Sequence, residues 1–91
     1  MSSSKEYLEL VLSNLVNDVT YKKMMGEYIL YKNNVIFGGI YDDRFLIKKN
    51  YLFNDLNLKE EIPYPNAKPM FLVDVDDREL LSKINNLLNN I

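Results

Sequence analysis

The chain has 91 residues, 47% hydrophobic and 26% charged, with a formal net charge of −2 and a pI near 5.0. A chain of this size supports one hydrophobic core, not two, and its composition is that of a globular domain rather than a disordered segment. It contains neither Cys nor His, which excludes disulfides, thiolate nucleophiles and Cys-based zinc sites and removes the commonest general base and transition-metal ligand together.

Ser3 with Glu6 three residues later fits a capping box, in which each side chain satisfies a free backbone donor of the other at a helix start. Behind it Leu8, Leu12 and Leu15 recur at helical spacing, with Tyr7, Val11 and Val16 widening the stripe, so a first helix is expected over 5–17. The opening Met-Ser-Ser-Ser-Lys-Glu lacks the apolar stretch of a signal peptide, and no run approaches the roughly 18 apolar residues of a spanning helix. A cytoplasmic protein without a membrane partner is the expectation.

A first strand is expected over 19–25, followed by strands over 27–32 and 35–41. Asn33-Asn34 between the last two can both take positive φ and close a two-residue hairpin. Asp42-Asp43 makes a further turn into a strand over 44–48, with a salt bridge expected inside the Asp42-Asp43-Arg44 turn itself. Gly38-Gly39 interrupts an apolar strand, which points to a bulge, a bend or the close approach of another segment.

A short helix is expected over 50–61, carrying Leu52, Phe53 and Leu56. Pro63, Pro65 and Pro69 then impose an extended connection to a last strand, 70–73, added to the meander. Asp76 is expected to cap a final helix with Asp77 and Glu79 in its first turn. Its apolar face reads Leu80, Ile84, Leu87 and Ile91, flanked by Leu81 and Leu88, with Asn85-Asn86 and Asn89-Asn90 on the polar side. The whole is a single α+β domain over 1–91: helix, three or four strands, helix, strand, helix, with the helices on one face of an antiparallel meander sheet.

Chemistry-bearing clusters are few. Asp74, Asp76, Asp77 and Glu79 superficially match the start of a calcium loop, but the Gly and Glu such a loop requires at its sixth and twelfth positions are Glu79 and Asn85 here. Helix capping accounts for the cluster, and no metal or other cofactor is expected. No phosphate-binding Gly-rich loop, nucleophile elbow or metal-ligand spacing occurs, so no catalytic activity is expected. Lys22, Lys23, Arg44, Lys48 and Lys49 are the richest source of phosphate contacts; on an acidic chain they imply weak, nonspecific nucleic-acid binding if any. Seven tyrosines suit strand packing or partner contacts.

Three segments together carry a family resemblance. They are Lys23-Met24-Met25-Gly26-Glu27-Tyr28, Tyr41-Asp42-Asp43-Arg44, and Tyr64-Pro65-Asn66-Ala67-Lys68-Pro69. In order and spacing the chain resembles the N-terminal domain of the TfoX/Sxy regulators of natural competence, with Met25 where that family usually has Phe. The resemblance implies a non-enzymatic, secretion-chaperone-like α+β domain that assists transcription of competence genes together with a cyclic-AMP receptor protein. Full-length regulators carry a second, helical domain, and the residues to Ile91 correspond to the first. The matching positions Lys23, Glu27, Tyr28, Asp43, Arg44, Tyr64 and Lys68, together with the adjacent Lys22, become candidate partner contacts. A small dimeric adaptor or chaperone-like binder unrelated to transcription is the alternative. Strands that look apolar on both faces over 28–31 and 35–40 imply a homodimer burying the open sheet face or the outer flank of the last helix.

Overall fold

A computed structural model describes residues 3–91. The order is α1 (Lys5–Ser13), β1 (Val19–Met24), β2 (Glu27–Lys32), β3 (Val35–Ile40), β4 (Phe45–Ile47), a 3-10 helix (Tyr51–Leu56), β5 (Glu60–Glu61), β6 (Met70–Val73) and α2 (Arg78–Leu88). The strands form one antiparallel sheet in the order β1-β2-β3-β4-β6-β5. This is the expected α+β architecture with one strand more than the sequence suggested, because Glu60 and Glu61 pair with Phe71 and Met70.

Three two-residue turns drive the meander. Met25-Gly26, Asn33-Asn34 and Asp42-Asp43 all have positive φ at both positions, the geometry whose twist matches that of the strands it joins. Tyr41 and Arg44 exchange both backbone hydrogen bonds, each 3.0 Å, across the third turn. Asn and Asp reach this region at little cost, whereas Met25 does so against its side chain.

Alternate strand residues build the core under the helices. Tyr28, Leu30, Phe37, Ile40, Phe45, Ile47, Phe71 and Val73 pack with Leu8, Val11, Leu15, Phe53, Leu81, Ile84 and Leu88. The register shifts between Leu30 and Tyr31, so that Phe37 is an extra residue on β3. A side chain at Gly38 would lie 2.5 Å from the Leu46 carbonyl, and one at Gly39 would lie 2.7 Å from both the Tyr28 carbonyl and the Tyr41 ring. The glycines are therefore what lets neighbouring strands and the Tyr41 ring close over β3.

Several local expectations change. The N-cap of α1 is Ser4, whose Oγ accepts from the Tyr7 N–H, and the helix ends at Ser13 rather than Asn17. The 50–61 helix shortens to one 3-10 segment, stopped by Asn57 in the left-handed region. Asp77, not Asp76, caps α2, so the two aspartates precede the helix and Glu79 alone lies in its first turn. The buried stripe of α2 is Leu81, Ile84 and Leu88, rotated from the expected one; Leu80, Leu87 and Ile91 are half-buried at its margin. Asn85 is no solvent-facing residue: its Oδ1 accepts from Val16 N–H at 3.0 Å and its Nδ2 donates to Asn14 O at 2.9 Å, closing the end of α1. No helix among the described residues is long and apolar enough to cross a membrane.

Candidate functional site

Two of the three family-like segments meet at the Asp42-Asp43 turn. The Ser3 N–H donates to Gly26 O at 3.0 Å, and its hydroxyl donates to Glu27 Oε1 at 2.6 Å while accepting from the Asp43 N–H at 3.0 Å. Glu27 also accepts from the Asp42 N–H, at 3.2 and 3.1 Å for its two oxygens. Asp43 Oδ1 accepts from the Ser4 N–H at 2.8 Å. Glu27 and Asp43 thus form a clasp that holds the start of α1 against two hairpin turns. Sequence reasoning placed Ser3 in a capping box and missed this role, because its partners lie 24 and 40 residues away.

Arg44 extends the clasp to the third segment. Its Nη1 is 2.7 Å from Glu61 Oε1, Nε donates to Tyr41 O at 3.1 Å, and Nη2 donates to Pro63 O at 3.2 Å. The salt bridge expected inside the turn is therefore replaced by one to β5. A planar guanidinium can satisfy several diverging acceptors at once, and here it anchors the proline-rich connection beside the sheet.

That connection lies over part of the open sheet face. Tyr41, Leu46 and Met70 form a second buried cluster with Ile29 and Leu72. Tyr64 lies over Tyr41, with ring centroids 6.0 Å apart and planes at 49°. Burial, followed by the neighbouring Tyr64 and Glu27, pushes the Tyr41 hydroxyl above its ordinary pKa. Beside the pair runs a groove of about 560 Å³ with Ile36, Gly38, Tyr41, Met70 and Ala67 among its lining and Pro63, Tyr64 and Pro69 along one side. Lys48, Lys49 and Lys68 also line it, and no acidic residue does. Lys49 pairs with Glu60 at 3.1 Å and sits 5.9 Å from the Phe71 ring centroid; among the described residues Lys48 and Lys68 form no ion pair.

The candidate residues thus divide. Glu27, Asp43 and Arg44 are gathered in the clasp, Tyr64 and Lys68 in the groove, and Tyr28 lies in the main core against Tyr21. Lys22 and Lys23 stand on edge strand β1, paired with Ile29 and Tyr28, so they point to opposite faces of the sheet. The five cations read as a phosphate patch are not brought together: Lys22 and Lys23 are separated from β4 by two strands, about 14 Å at ordinary strand spacing, and Arg44 is held by internal acceptors. Ile36, Pro63 and Met70 line the groove without having been singled out; the prolines signalled an extended segment but not the face it covers.

Among the described residues no group of three or more Asp and Glu is placed to hold a metal ion. The acidic stretch before α2 serves local capping: Asp74 accepts from Asp76 N–H at 2.9 Å and Asp77 from Leu80 N–H at 3.0 Å. No family model and no curated protein matches the chain.

Proposed function

We propose that this chain is a non-enzymatic regulatory domain acting through protein contacts in transcription, the reading implied by its resemblance to the TfoX/Sxy N-terminal domain. The observation that carries it is the use of the motif residues. The polar groups of Glu27, Asp43 and Arg44 are engaged in internal hydrogen bonds, so they organise a surface instead of presenting reactive groups to a substrate. Among the charged residues left accessible lie apolar and aromatic ones, Met24 at 49% exposed, Ile36 at 40% and Tyr64 at 59%, and exposed apolar residues of that kind serve protein contacts. Scattered lysines make any DNA contact weak, salt-sensitive and indifferent to sequence.

Affinity capture from native lysate tests the reading. Retention of RNA polymerase or a transcription factor is the expected result, and a client unconnected with transcription favours the dimeric adaptor instead. Turnover in hydrolase or phosphatase screens that is lost in Asp43→Asn would contradict both.

A further inference from the structure

We infer that the groove between the proline-rich connection and β3–β4 is the docking site for an extended acidic peptide bearing aromatic or aliphatic side chains, an inference that rests on the protein-contact reading above. Charge complementarity selects this occupant. The chain carries 13 acidic and 11 basic residues, yet the groove lining holds Lys48, Lys49 and Lys68 and no carboxylate. Two of these ammonium groups have no internal counter-charge among the described residues, so carboxylates can approach without displacing an existing pair. Between them lies the apolar surface of Ile36, Met70 and Ala67, bounded by the exposed Tyr64 ring. Its volume of about 560 Å³ lies within the range of ordinary ligand pockets and suits a few side chains of a bound segment.

The same features argue against a phosphate backbone as the occupant. A phosphate backbone would leave the apolar lining of Ile36, Met70 and Ala67 without a complement, and Arg44 nearby is committed to Glu61 and three carbonyls. Neither helix contributes a lining residue, so no helix N-terminus faces the groove. Lysine ammonium groups attract carboxylates and phosphates alike, so the apolar lining that their methylene chains border is what favours a peptide with apolar side chains.

The test is a titration of the ¹⁵N-labelled full chain with three unlabelled probes: a peptide alternating glutamate with phenylalanine and leucine, its lysine-for-glutamate counterpart, and a single-stranded oligonucleotide. The acidic peptide should shift the amides of Ile36, Gly38, Lys48, Ala67 and Lys68, and the basic peptide should not. The double substitution Lys48→Glu and Lys68→Glu, at exposed positions, should leave the remaining spectrum intact and weaken binding about tenfold, as expected for reversing two solvent-exposed charges. No shifts with the acidic peptide, shifts mapping elsewhere, or tighter binding of the oligonucleotide to the same amides would each overturn the inference. Lysate capture by the doubly substituted chain separates the two claims: undiminished retention of a transcription protein would remove the groove and leave the protein-contact reading standing.

Discussion

Glu27 shows how one side chain can matter more for where it sits than for its reactivity. Its carboxylate accepts from the Ser3 hydroxyl and the Asp42 N–H, and Ser3 is itself buried. Glu27→Ala strands the buried Ser3 hydroxyl while the exposed Asp42 N–H turns to water, and a buried unsatisfied group costs about 1–3 kcal/mol. Urea unfolding should report a loss of that size, together with faster hydrogen exchange at Asp42 and Asp43; unchanged stability would show the clasp to be incidental. Tyr41 supplies a pH signature. Its hydroxyl is neutral when protonated, and burial raises its folded pKa above the ordinary value near 10. The folded state therefore holds its proton to higher pH than the unfolded chain. Stability is fully present below the unfolded pKa and falls as pH rises through the folded one. Denaturation midpoints compared at about pH 8 and about pH 11 should drop less in Tyr41→Phe than in the native chain; an equal drop would exclude Tyr41 as a source.

The elements differ in how openly the sequence announces them, and the reason is the range of the interactions that define each one. Asn33-Asn34 and Asp42-Asp43 carry their own turn chemistry and appear where expected. Met25-Gly26 adopts the same geometry with a residue poorly suited to it, so the sequence alone runs the first strand one residue too far. That misfit is measurable. Met25 is 97% exposed at φ 52° and makes no packing contribution that a smaller residue would lose. Met25→Asn should raise stability, by up to about 1 kcal/mol, because Asn tolerates the left-handed region; a loss of stability would mean that the exposed Met serves the fold. The face of α2 and the brevity of the 3-10 segment were harder to read. Leu80, Leu81, Leu87 and Leu88 permit two neighbouring apolar stripes, and packing into the main core selects Leu81, Ile84 and Leu88. Of the candidate site, Tyr64 and Lys68 were legible through the family-like segment. The Arg44–Glu61 pair was not, since nothing local links residues 17 apart.

At the scale of the molecule, the proline-rich connection leaves the open sheet face partly covered. By register Met24, Tyr31 and Ile36 share the uncovered part with Thr20 and Lys22, and Met24 and Ile36 are well exposed. The other surface considered for dimerisation is less suited, because Leu80 and Leu87 on α2 already pack against the core. Self-association through the sheet face is therefore expected at micromolar concentration. Sedimentation velocity should show a dimer that Met24→Lys, outside the groove, converts to monomer; a native chain that remains monomeric would leave this surface to a different protein.

The role proposed for the fold is protein contact in transcription rather than catalysis. Affinity capture from native lysate with quantitative mass spectrometry tests it most directly, using the native chain beside the one carrying Lys48→Glu and Lys68→Glu. RNA polymerase or a transcription factor should be enriched on the native chain and depleted on the substituted one, as that role requires. Enrichment of a client with no connection to transcription, equal on both chains, would contradict it.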